Sequence, residues 1–226
     1  MTRTPWRSLR VAGVLLAAAM FLACGSKDEA GGGGSSTEAP SEGTPKTEGG
    51  EDDGGGPLGP AAGKIVFSYT GKWEGEMTVH FADHGDTVVV DQDIKVGKHM
   101  RDHKRVIWKD GVSTLCDLER EGKTCSTTKL RVKSTELGIM YGLRGERFSR
   151  PMAQGGYEKR PDEVIAGKTC SVWYHPQTKV GIWRWEGIDL KTDNGVGKFV
   201  AEATSYEDID AIPADVLAPP PGFTVK

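Results

Sequence analysis

The 226-residue chain lacks any apolar run long enough to cross a membrane as a helix. Its longest uncharged apolar stretch, residues 11–23, falls short of the roughly 20 residues that the hydrocarbon thickness demands. Cysteine is scarce, 4 in all, and no two stand as C-x-x-C, so the dithiol redox motif is missing. There is no G-x-S-x-G elbow, no H-E-x-x-H pair and no glycine loop closing on Lys-Ser/Thr beneath a phosphate. No spacing pairs two carboxylates in a cleft. These absences leave nothing that argues for an enzyme or a cofactor; a hydrolase whose active residues lie far apart in sequence is the remaining enzymatic reading.

What is present begins with a leader. Arg3, Arg7 and Arg10 form a positive n-region, residues 11–23 an apolar core, and Ala23 and Gly25 flank Cys24 with small side chains. Short apolar core and basic flank together describe a signal peptide rather than a membrane span. The phrase Phe21-Leu22-Ala23-Cys24 resembles the bacterial lipobox, whose cysteine is lipidated and becomes the new first residue; Phe21 stands where that box usually carries Leu and keeps the position apolar. The resemblance implies residues 1–23 as signal peptide and a lipid anchor on Cys24. Gly25 rather than Asp after the cysteine resembles outer-membrane sorting, on the periplasmic side or at the cell surface.

Residues 24–63 carry Gly, Ser, Thr, Pro, Glu and Asp with almost no apolar side chain, and 25–63 has a net charge of minus 6. Such a stretch buries too little surface to offset its ordering entropy, so it reads as a flexible tether. Residues 64–226 balance at zero formal charge and form one domain, which gives no case for nucleic-acid binding.

Within that domain the apolar residues recur every second position. Ile65, Phe67 and Tyr69 alternate with Val66 and Ser68, Met77 and Val79 with Thr78 and His80, and residues 87–96 are rich in β-branched side chains. Gly71, His84-Gly85-Asp86, Asp110-Gly111, Glu121-Gly122 and Asn194-Gly195 punctuate the runs as turns. Further strands are expected over 105–109, 112–118, 123–132, 168–175, 180–185 and 197–204. Residues 134–150 space Leu137, Met140, Tyr141 and Leu143 nearer to a helical face and read as a short helix or crossover. Residues 212–225 carry Pro213, Pro219, Pro220 and Pro221 and cannot form a central strand. The expected fold is mainly β, a strongly curved antiparallel sheet with a short helical element against its concave face.

Three phrases carry a family resemblance: Ile165-Ala166-Gly167-Lys168-Thr169-Cys170, the Trp-bearing strand around Trp183, and Pro221-Gly222-Phe223. Together they resemble LolA-like domains of unknown function in the outer-membrane lipoprotein carrier superfamily. The resemblance implies an open half-barrel with an apolar interior that holds lipid or an acylated protein. Phe67, Trp73, Trp108, Trp173, Trp183 and Trp185 are the aromatics available to line such a space, or simply to fill a core.

Three cysteines remain beside Cys24. A hairpin with residues 119–122 as its loop sets Cys116 opposite Cys125, within disulfide reach, and leaves Cys170 unpaired and buried; a more curved sheet would let Cys170 take one partner instead. His80/His84 and His99/His103 are each four apart, but the first pair flanks a turn and the second sits among cations, so neither suits a metal. Lys95, Lys98, Arg101, Lys104 and Arg105 oppose only Asp102, a net of plus 4 in a neutral domain. This cluster suits an anionic surface or a solvated hairpin. The functional expectation is an anchored envelope lipoprotein that binds an apolar ligand or acylated partner without turnover, the alternative being a scaffold or protein-interaction module.

Overall fold

The computed structural model describes residues 58–129, 142–143, 152, 154–195 and 197–226. These residues build β1 (Gly63–Gly71), β2 (Trp73–Ala82), β3 (Thr87–Val96), β4 (Met100–Lys109), β5 (Val112–Asp117), β6 (Thr124–Lys129), β7 (Glu158–Ile165), β8 (Lys168–Tyr174), β9 (Val180–Trp185), β10 (Ile188–Asn194), β11 (Phe199–Glu207) and β12 (Thr224–Val225). They form one 12-stranded sheet in the order β12-β6-β5-β4-β3-β2-β1-β11-β10-β9-β8-β7. Consecutive strands pair as hairpins from β1 to β6 and again from β7 to β11, β11 returns beside β1, and the short β12 runs parallel to β6.

The strongly curved half-barrel does not form. The sheet is open, neither closed nor strongly curled, and the parallel β12–β6 pair makes it mixed rather than antiparallel throughout. Alternation reports which face of a strand is buried but carries no information about closure, which needs coordinated tilt, stagger and bulges. The ladders β2–β3, β3–β4 and β4–β5 run in unbroken register, so this half of the sheet has no bulge to bend it. Register shifts fall instead in the β1–β11, β9–β10 and β7–β8 pairs.

The short helical element fares no better among the described residues, where no helix reaches 7 residues and a 3-10 turn at Asp83–Gly85 bridges β2 and β3. Most of the segment 134–150 lies outside the described residues. Its Leu143 is fully buried and bridges to Ile188.

The alternation did translate into faces. Ile65, Phe67, Met77, Val79, Phe81, Val88, Val90, Val106 and Trp108 form one core cluster with Ile188, Leu190 and Ala203. Leu58 joins it at 1% exposure, and its amide bonds to the His84 carbonyl, so packed structure begins ahead of Lys64. The other face is mostly polar. Its apolar exception is a small cluster of Val89 and Ile107, covered by Ile209, Ile212, Val216 and Leu217 from the proline-bearing C-terminal segment. That segment then ends as an edge strand, where proline does no harm to a central ladder.

Two strands escaped the alternation. β7 is exposed at every residue but Ile165 and contains Pro161, as suits an edge strand that buries neither face. In β10 the successive residues Ile188, Asp189 and Leu190 are all buried, Ile188 and Leu190 in the core cluster and Asp189 paired with Arg184, and a register shift follows between Asp189 and Lys191.

Candidate functional site

Three strands at the β7 end of the sheet build the most distinctive surface among the described residues. Arg160 lies opposite Val172, and Val172 opposite Trp183; in the next row Glu158 faces Tyr174, and Tyr174 faces Gly181. Directly opposite residues share a face, so each row projects to one side. β7 then shifts register between Arg160 and Glu163, so that Glu163 falls opposite Cys170. The extra residue moves Glu163 to the side of Val172, where unbroken alternation would turn it away. Its Oε2 accepts the Trp183 indole N–H at 2.8 Å.

The result is a shallow depression of about 380 Å³ lined by Arg160, Pro161, Glu163, Val172, Tyr174 and Trp183, with Gly181 at its floor. Gly181 is needed there for space. A Cβ built on it would lie 2.7 Å from the Trp183 ring, so the indole leans into the volume that a side chain at 181 would fill. The rings are flanked by cations: the Arg160 guanidinium lies 4.8 Å from the Tyr174 centroid and the Lys191 ammonium 4.8 Å from that of Trp183. Lys191 is tied in turn to Glu202 at 3.0 Å.

Beneath this surface Arg184 and Asp189 form an ion pair at 2.6 Å with side chains 5% and 1% exposed. They stand directly opposite each other in the β9–β10 ladder.

The aromatics expected to line an apolar cavity are dispersed. Phe67 and Trp108, 3% and 5% exposed, are packed inside the core. Trp185 is partly buried against the core and makes an edge contact with Tyr206 at 4.9 Å, the two rings holding the Lys168 ammonium at 4.5 and 4.4 Å. Trp73 stacks on Phe199 at 4.2 Å at one end of β1, β2 and β11. Trp173 is half-buried in β8. Of the expected set, Trp183 alone lines either described depression.

The basic cluster is largely neutralised by its neighbours. Arg105 grips Asp91 through two bonds of 2.6 and 3.0 Å, Arg101 bonds both Asp93 oxygens and reaches Glu119 at 3.0 Å, and Lys104 meets Asp102 at 2.8 Å. The Arg101 hydrogen bonds hold the Asp93 carboxyl below the usual carboxylate range. Lys95 and Lys98 are exposed. A local sequence count sees the cations on β4 and misses the aspartates that β3 sets across from them. A smaller depression of about 150 Å³, lined by Glu76, Thr78, Asp91, Asp93 and His103, lies on this face.

The hairpin disulfide forms as the spacing suggests: Cys116 and Cys125 are register partners with Cα atoms 4.2 Å apart, and Cys170 is free and buried. Burial pushes the Cys170 thiol up to about 11. A thiol so held is a poor nucleophile at neutral pH.

Sequence reading singled out Trp183 but missed Arg160, Glu163, Tyr174, Gly181 and Lys191. One local signal was available: Gly181 two residues before Trp183 in a strand places a side-chain-free position under the ring on the same face. The Glu163 contact was invisible, since it depends on a bulge.

No family model and no curated protein sequence matches the chain. Among solved structures it is similar to an uncharacterized conserved protein from Thermus thermophilus, at 6% identity and TM-score 0.44, over 74% of this chain and 90% of that one. It is also similar to PNGF-II, at 12% identity and TM-score 0.38, over 73% of this chain and 31% of that one. Likeness to MucB is 14% identity with TM-score 0.40, over 70% of this chain and 57% of that one. The chain thus spans about a third of PNGF-II and just over half of MucB.

Proposed function

We propose that this protein is a lipid-anchored component of the bacterial cell envelope whose β domain recognises a partner through the surface of its sheet, without chemical turnover. The anchor rests on the leader, on Phe21-Leu22-Ala23-Cys24 and on the glycine- and acid-rich tether that follows. Placement at the outer membrane rests on Gly25. The observation that carries surface recognition is where the aromatics lie: Phe67 and Trp108 are core, while the depression containing Trp183 opens on the sheet surface among charged side chains.

An apolar ligand held in a concave interior is the weaker reading, because the curved half-barrel it needed is replaced by an open sheet with a filled core. Replacing Cys24 with Ala should move the protein out of the membrane fraction and abolish labelling by a fatty-acid probe. Unchanged labelling would reject the anchor. Photo-crosslinkers placed at position 160 and, as a control on a distant turn, at position 98 of the membrane-bound protein then read recognition: adducts from 160 are expected, and their absence from 160, whatever position 98 gives, would reject surface recognition at this face.

A further inference from the structure

The depression on β7, β8 and β9 contains more chemistry than a docking surface needs, and its balance of charge restricts what it can hold. Two aromatic rings stand beside two cations, Arg160 and Lys191, and three carboxylates, Glu158, Glu163 and Glu202. A simple anion placed against the rings would meet Glu158 and Glu163, and a simple cation would meet Arg160 and Lys191. An acyl chain would strip water from all of these groups and return no hydrogen bond, which is costly for charged groups. The arrangement suits a neutral ligand that both donates and accepts hydrogen bonds around a partly apolar ring.

We infer that this depression is a carbohydrate subsite, in which Trp183 and Tyr174 pack against the C–H face of a sugar ring while Arg160 donates to hydroxyl oxygens and Glu163 accepts from hydroxyl groups. Geometry favours this in three ways. The Trp183 ring occupies the space that the missing side chain of Gly181 leaves, and it is tethered at its N–H by Glu163 and flanked by the Lys191 ammonium, so its orientation is set before a ligand arrives. Arg160 is half exposed at the rim of the depression, where its guanidinium lies 4.8 Å from the Tyr174 centroid and makes a long contact of 3.5 Å to Glu158, so it meets a ligand at little cost in broken hydrogen bonds. The volume of about 380 Å³ lies at the lower end of small-molecule sites, roughly 300–1,000 Å³, and the depression is open to solvent, as a subsite for one stretch of a longer polymer would be. The inference rests on surface recognition and specifies its chemistry; glycan polymers are what an anchored envelope domain has within reach.

The test is calorimetric titration of the full-length protein in detergent with three neutral oligosaccharides, chitotetraose, cellotetraose and maltotetraose, while intrinsic tryptophan emission is followed in parallel. At about 5 mM sugar even a Kd near 1 mM is largely saturated. Saturable heat and an emission shift are expected with at least one sugar. Arg160→Ala, which removes an exposed side chain, should weaken that binding at least fivefold. Gly181→Ala should do the same by displacing the Trp183 ring, and Lys98→Ala, on a distant exposed turn, should leave it unchanged. Absence of saturable binding by all three sugars, or binding that survives both Arg160→Ala and Gly181→Ala, overturns the inference. Neither result touches the anchor or the crosslinking outcome, which stand or fall on the Cys24→Ala fractionation and the adducts from position 160.

Discussion

Single residues already separate inert groups from sensitive ones. Cys170 is buried, with its thiol pushed up to about 11, so maleimide should leave it unmodified in the native protein at pH 8 and react fully in urea. Rapid native labelling would show that β8 is not packed as described. His80 is the pH-sensitive counterpart. It is 8% exposed, and burial followed by the nearby Lys64 lowers its pKa below the ordinary 6.5. The unfolded chain therefore takes up a proton near pH 6.5 that the folded chain refuses. Above that pH both states are neutral at His80 and the residue costs nothing; as pH falls toward the lowered folded value, stability declines. Urea midpoints measured from pH 8 to pH 5 should fall through this window, and His80→Phe should flatten the decline. Sequence reading saw His80 only as half of an unsuitable metal pair, because its burial depends on strands brought together from distant parts of the chain.

Elements carry the larger energies. The β5–β6 hairpin is closed by Cys116–Cys125, 9 residues apart, and opening that loop with Cys116→Ser and Cys125→Ser together should cost about 2–3 kcal/mol in the chain-entropy account. Urea denaturation of the double variant checks it, and an unchanged midpoint would contradict it. This pairing was legible because turn length and spacing suffice to set the two sulfurs opposite each other. The Arg184–Asp189 pair between β9 and β10 was not legible, since Ile188, Asp189 and Leu190 are all buried and a strand covered on both faces shows no alternation. Neutralising one partner with Asp189→Asn leaves a buried guanidinium short of its counter-charge, and a loss of about 3–5 kcal/mol is expected. A loss below about 1 kcal/mol, the range of exposed pairs, would mean the pair is hydrated. Edge strand β7 was missed for the opposite reason, as a strand that buries neither face has no alternation to read.

At the scale of the whole molecule, strand content, the turns and the core-facing residues of β1–β4 could be read from period-two alternation, whereas the shape of the sheet could not. Whether a row of hairpins closes, curls or stays open depends on stagger and bulges, and these arise from pairings between strands rather than from any one strand's pattern. The expected half-barrel gave way to an open sheet for this reason, and with it went the concavity in which an acyl chain was to sit. With a filled core and a charged aromatic depression, the proposed function has the domain meet its partner from the outside, with the proposed lipid on Cys24 serving only to hold it at the membrane. Native mass spectrometry of the protein extracted from membranes tests this division most directly. The account predicts a chain beginning at Cys24 with covalent lipid and no further acyl molecule released by organic extraction. A chain without covalent lipid, or one carrying a stoichiometric non-covalent lipid in its domain, would contradict it.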